Sequence, residues 1–155
     1  MIMQNLCKRE VIMERFTALE IAKYVIGFCA ANKNPISNLQ LQKILYFVQG
    51  EYYKATGHFL FKDDFVAWTF GPVVKAVYDN YSGYGSSRIY DRSDVYLDQS
   101  IRNIIDPVIT KRANQSASTL IEETHQRGGA WHTVYDSCRN TVIPRLLIMK
   151  EFSQY

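Results

Sequence analysis

Residues 37–57 read SNLQLQKILYFVQGEYYKATG, and the spacing of their apolar side chains decides the fold class. Leu41, Ile44, Leu45, Val48 and Tyr52 recur at helical intervals, which brings them onto one stripe of an α-helix. Ser37 or Asn38 can cap its start, because a short polar side chain accepts from the N–H groups that a first turn leaves unpaired. The helix is expected to stop at Thr56-Gly57, where glycine can take the left-handed conformation that ends many helices.

Working toward the N-terminus, Thr17-Ala-Leu-Glu20 has the form of a capping box, in which each side chain satisfies the other residue's free N–H. Ile21, Val25 and Phe28 follow on one face, so a first helix is predicted over about 18–32. Residues 1–15 mix charges with methionines and are expected to form an N-terminal arm, with the folded domain spanning 16–155. They lack the continuous apolar stretch of a signal peptide.

Toward the C-terminus, residues 65–81 read FVAWTFGPVVKAVYDNY. Phe65 to Thr69 suits a short strand bounded by Asp63-Asp64 and Gly71-Pro72. Pro72 suits the first position of a helix, where its missing N–H has no partner to lose, and Val73, Val77 and Tyr81 carry that helix to about 81. Gly71-Pro72 is therefore read as a direct conversion of strand into helix, with the flanking rings locking the turn into the core. The turn-rich stretch SGYGSSRIYDRSD (82–94) leaves room for one short strand near Ile89-Tyr90. Ile101, Ile104, Ile105 and Val108 mark a fourth helix capped by Asp98 or Ser100, in which Pro107 either kinks the helix or restarts it with Asp106 as cap. Ser116 can cap a fifth helix through Thr124-His125, and Gly128-Gly129 breaks the chain before Trp131. Pro144 opens a last helix with Leu147, Ile148 and Phe152 on its apolar side.

These segments predict a mainly α fold: a single compact helical domain of about six helices with a small β element. A chain of 155 residues, 47% hydrophobic and 14% aromatic, can close one core without a metal or disulfide staple. The net charge of +3 is spread among acids, so it does not by itself argue for a nucleic-acid partner. No apolar run reaches the roughly 20 residues needed to cross a bilayer, and no membrane partner is expected. Cys7, Cys29 and Cys138 are odd in number and widely spaced, which predicts reduced thiols in a cytoplasmic protein.

Catalytic and cofactor chemistry find little support. His58, His125 and His132 with Cys138 lack the close ligand pairs of a zinc site, so no metal is expected. Cys138 with His125 and Asp136 could form a thiol–imidazole–carboxylate set, but no local signature surrounds them. A structural role for His125, holding the loop that leads to Trp131, weighs more. No phosphate-binding glycine loop occurs, and no cofactor is expected. The turn before residue 37 and the helix after it resemble the recognition half of a helix-turn-helix, with Gln40, Gln42, Lys43 and Gln49 as candidate base readers. Lys43 is the one charge among them, too few for the phosphate contacts that dominate DNA affinity.

The aromatic residues carry the remaining signal. In an alternating strand Phe65, Ala67 and Thr69 face one way and Val66, Trp68 and Phe70 the other. A core position for Trp68 weighs more than an exposed one. Rings left on the surface anchor protein interfaces, and among 11 tyrosines several fall outside the apolar stripes. Trp68, Phe70, Tyr53, Tyr84 and Tyr90 are the candidate partner-binding residues. Gly71, Pro72, His125 and Trp131 are the candidate structural motif.

Five blocks taken together resemble the Panacea domain of SocA-like antitoxins, also described as GepA-like phage-associated proteins. They are TALEIAKYVI (17–26), NLQLQKILYFVQGEYY (38–53), FVAWTFGPVVKAVYDNY with YGSSRI behind it, LIEETHQRGGAW (120–131) and IPRLLIMKEF (143–152). The resemblance spans about residues 16–153, and LQKILYFVQG, AWTFGPVV and THQRGGAW are jointly specific. It implies a cytoplasmic bacterial, plasmid or prophage antitoxin encoded beside a toxin gene, which neutralises that cognate toxin by direct binding. In at least one branch of the family the antitoxin instead acts as an adaptor that presents the toxin to an AAA+ protease. The resemblance brings no catalytic residues. The chain leaves no length for the extra DNA-binding domain that many such antitoxins carry, and homo-oligomerisation stays open.

Overall fold

The computed structural model describes residues 16–135 and 140–153. The 37–57 stretch forms the axis of the molecule. Its helix, α2 (Asn38–Thr56), follows α1 (Ala18–Ala31) and β1 (Ile36–Ser37). Ser37 and Gln40 cap α2 reciprocally, with Gln40 N–H donating to Ser37 Oγ at 3.3 Å and Ser37 N–H donating to Gln40 Oε1 at 3.1 Å. Gly57 ends it at φ 77°, its N–H donating to the Tyr53 carbonyl. The expected box at Thr17 and Glu20 starts α1 in the same way.

Residues 41–50 are buried without a break, so α2 has no solvent side along its middle. A helix enclosed on every side needs a partner for each polar group it carries. Gln49 meets that need by donating to the Phe61 carbonyl at 2.8 Å and accepting from Leu60 N–H at 2.8 Å. Around α2 pack α1, α3 (Lys75–Tyr81), α4 (Gln99–Ala113), α5 (Ala117–Thr124) and α7 (Arg145–Ser153), with α6 (Ala130–Tyr135) lying on α7. The described residues thus hold seven α-helices, one more than the periodicity predicts. The additional one is α6, a single short run behind Gly128-Gly129. Gly50 lets α7 approach α2 closely, because a Cβ there would lie 2.3 Å from the Phe152 ring.

Pro107 neither restarts nor divides α4, which runs through it. Both Pro107 and Asn103, whose carbonyl loses its helical donor, are exposed, so water can take over the lost bond. Arg112 lies buried near the end of α4, its guanidinium 3.6 Å over the Phe47 ring and paired with Glu123 of α5.

Two small antiparallel sheets complete the fold. β1 pairs with β4 (Arg88–Ile89), and β2 (Val66–Trp68) pairs with β3 (Gly71–Val73). Pro72 is therefore a strand residue, not the start of a helix, and α3 begins only at Lys75. The reason lies in the ladder: Pro72 faces Ala67, whose own N–H donates to Thr141 and whose carbonyl accepts from Asn140. This pair exchanges no hydrogen bond, so a residue without an N–H fits there.

Candidate functional site

The β2–β3 hairpin turns at Thr69-Phe70 and is held along both outer edges. On the β2 side, residues 140–143 supply backbone partners to Phe65 and Ala67 at 2.7–2.9 Å. On the β3 side no further strand pairs among the described residues. Side chains of α2 take that role: Lys43 Nζ donates to the Pro72 carbonyl at 3.0 Å, and Val74 N–H donates to Gln42 Oε1 at 3.0 Å. Gln42 Nε2 donates to Asn38 Oδ1, and Asn38 Nδ2 donates to the Tyr78 carbonyl at 3.2 Å. Three polar side chains of one helix thus grip the main chain from Pro72 to Tyr78. Gly71 permits the grip. At φ 104°, it has no Cβ where one would lie 2.7 Å from Thr124 Oγ1 and 2.9 Å from Lys43 Cε.

Beneath the hairpin sits a mainly basic cluster. Lys43 is fully buried, and that burial pushes its ammonium down to about 7. Among the described residues no carboxylate pairs with it. His125, at the end of α5, is pushed below its ordinary value by burial first, then by the charges of Lys43 and His132. Its ring stacks on Trp131 with centroids 3.6 Å apart, and Trp131 in turn stacks on Tyr135. The Trp131 indole N–H donates to the Trp68 carbonyl at 2.7 Å. At the start of α6, Glu151 accepts from Ala130 N–H at 2.8 Å and from the Tyr46 hydroxyl at 2.9 Å. Burial raises its carboxyl above the usual range despite these two donors.

The outer face of the hairpin carries rings. Val66 and Trp68 point outward while Phe65 and Ala67 point inward, and the alternation ends where the chain turns at Thr69. Trp68 is half-buried, not a core ring, because it stands on the outer face of its strand, where Tyr78 packs edge-on at 4.9 Å. Phe70 is 60% exposed at the tip, and Tyr78 is 37% exposed. Together with Leu39, Gln42 and Val73 they line an open groove of about 310 Å³.

The other candidate rings lie elsewhere. Tyr53 stacks on Phe59 at 5.1 Å and is partly buried. Tyr84 donates to Asp91 at 2.8 Å on the loop after α3. Tyr90, 68% exposed, lines a second groove of about 620 Å³ with Tyr24, Gly27 and Phe28 of α1. The structure brings Trp68 and Phe70 together and adds Tyr78, Leu39 and Val73. Tyr78 lies off the Val73, Val77 and Tyr81 stripe, and no sequence pattern singles it out. Lys43 and Gln42 were missed as supports because polar residues were assigned to a surface.

That assignment is the main correction at this site. Gln42, Lys43 and Gln49, weighed as base readers, are all buried, because α2 is covered on every side and not docked on one. No group of three or more potential metal ligands occurs among the described residues. The residues 1–15, Asp136 and Cys138 lie outside the described residues, so the arm and the thiol–imidazole–carboxylate set have no geometry here. No helix among the described residues is long and apolar enough to cross a membrane.

A helical scaffold whose interior side chains hold a ring-bearing hairpin defines, at the level of class, a mainly helical module with an aromatic groove. The family model for antitoxin SocA-like proteins, Panacea domain, matches residues 41–132, a span that contains the LQKILYFVQG, AWTFGPVV and THQRGGAW blocks. The chain is also 35% identical to the protein named Antitoxin SocA from Caulobacter vibrioides (strain NA1000 / CB15N), over 76% of this chain and 69% of that protein. The chain belongs to the SocA-like antitoxin, Panacea domain, family. Membership implies, in general terms, a toxin as partner. No solved structure matches the chain.

Proposed function

We propose that this protein neutralises a cognate toxin in the cytoplasm by direct protein–protein contact, with Trp68, Phe70 and Tyr78 as anchors. The observation that carries the proposal is the hairpin face: solvent-facing rings beside an open groove, on a backbone held at both edges. Aromatic anchors set on a rigid support lose little conformational freedom on binding, which is how a few residues come to dominate an interface. The protein acts by shape and makes no bonds of its own. A helix-turn-helix role finds no support in α2, since three of its four candidate base readers, Gln42, Lys43 and Gln49, are inside.

Co-expression with the product of the adjacent reading frame is the test. The expected result is restored growth and a complex that copurifies, and both are lost in a Trp68→Ala/Phe70→Ala double variant. An innocuous neighbour with no complex would overturn the proposal. Neutralisation that requires an AAA+ protease would reassign the protein as a proteolytic adaptor.

A further inference from the structure

We infer that Lys43 is the positioning residue of the hairpin: one buried side chain holds β3 through the Pro72 carbonyl, and uptake of a proton at that side chain favours release of the strand. The inference rests on reading the hairpin as the partner-binding face.

Three features of the structure lead to it. The Lys43 side chain takes the place of a missing neighbouring strand, so its bond to Pro72 and that of Gln42 to Val74 are what close the outer edge of β3. The backbone around them is adapted to receive it: Gly71 leaves room for Lys43 Cε, and Pro72 sits at a ladder position that leaves its carbonyl free to turn inward. Finally, Lys43 is fully buried with no carboxylate partner among the described residues, an arrangement that costs stability and that a methionine in the same space would avoid.

The neighbouring elements present few charges to α2. Arg112 of α4 and Glu123 of α5 are bonded to each other, and Glu151 of α7 is bonded to Tyr46 and Ala130. His125, at the end of α5, is held below its ordinary value of 6.5 by burial first and then by the charges of Lys43 and His132, so above pH 7 it is mainly neutral. Proton uptake beneath the hairpin above pH 7 is then that of Lys43, whose buried value is about 7. When the hairpin opens, water reaches the ammonium and its affinity for a proton returns toward that of a free lysine, about 10.4. The open form therefore binds the extra proton between these values, and opening becomes rarer as pH rises.

Amide hydrogen exchange of residues 66–74 in the free chain, corrected for intrinsic rates and read between pH 7 and 8.5, tests this. The expected result is an opening constant that falls by up to about tenfold per pH unit in the wild type. In Lys43→Met the profile is flat and the hairpin more open at pH 8.5. A flat wild-type profile overturns the inference even if the variant fails to fold, and so does a variant profile that matches the wild type. Copurification with the toxin is measured in parallel. A proton-linked hairpin in a chain whose toxin binding ignores Trp68→Ala/Phe70→Ala upholds the role of Lys43 and overturns the partner-binding reading instead.

Discussion

The Trp131 indole N–H donates to the Trp68 carbonyl at 2.7 Å, so the ring that fills the space behind Gly128-Gly129 also fixes the strand that bears the outermost rings. One side chain thereby links the THQRGGAW and AWTFGPVV blocks. Trp131→Phe keeps a ring for His125 to stack on but removes the donor. Urea unfolding should show a loss of about 0.5–1.5 kcal/mol, the usual net contribution of one hydrogen bond. No loss would mean that water replaces the indole.

Phe70 and Trp68 separate binding from stability. Phe70 is mostly exposed, so Phe70→Ala is expected to stay within about 0.5 kcal/mol of the wild type in unfolding while weakening toxin capture. Trp68→Ala, from a half-buried site in contact with Tyr78, should cost less than the roughly 3–5 kcal/mol of a core tryptophan. Thermal melts and pull-downs of the two variants, taken together, decide this.

Close approach of α2 and α7 depends on Gly50. In Gly50→Ala the new methyl would fall within the Phe152 ring, which predicts a loss of about 1–3 kcal/mol from overpacking. Trimming the obstruction in a Gly50→Ala/Phe152→Leu double variant should recover part of that loss. Additive losses in a double-mutant cycle would show that the two residues are independent.

Glu151 supplies a pH dependence of known sign. Its folded value is raised by burial, so its contribution to stability is fully present below the unfolded value and is lost as pH rises through the folded one. Near neutrality the ionised carboxylate is therefore a net cost. Glu151→Gln keeps one acceptor for Ala130 N–H and can still meet the Tyr46 hydroxyl. It should be at least as stable as the wild type at pH 7, and its advantage should vanish as pH falls toward 4.5. Denaturant midpoints across that range give the answer, and a Gln variant clearly weaker at pH 7 would contradict it.

What the sequence determined by itself is the part of the fold governed by neighbours in the chain. The stripe of Leu41, Ile44, Leu45 and Val48, the caps at Thr17, Ser37 and Ser116, and the stop at Gly57 all act over three or four residues. Local spacing reports such energies directly, and the helices they bound lie where the pattern puts them, within a residue or two. The short helix behind Gly128-Gly129 was not legible, because Ala130 N–H is satisfied by Glu151, 21 residues further on.

Only the tertiary structure decided the fate of Pro72, the rings and the buried polar groups. Whether Pro72 starts a helix or joins a strand turns on residues distant in sequence: Lys43, which binds its carbonyl, and Asn140 and Thr141, which take the backbone groups of its ladder partner Ala67. Likewise Tyr53 and Phe70 look alike in a list of aromatics, yet one stacks on Phe59 and the other stands in water. Gln42, Lys43 and Gln49 read as surface because a polar residue on a helix usually is. They are interior because other elements enclose α2 on all sides, and each then binds a backbone group that no spacing rule could have named. Burial is a property of what surrounds a side chain, and the surroundings exist only once the whole chain has folded.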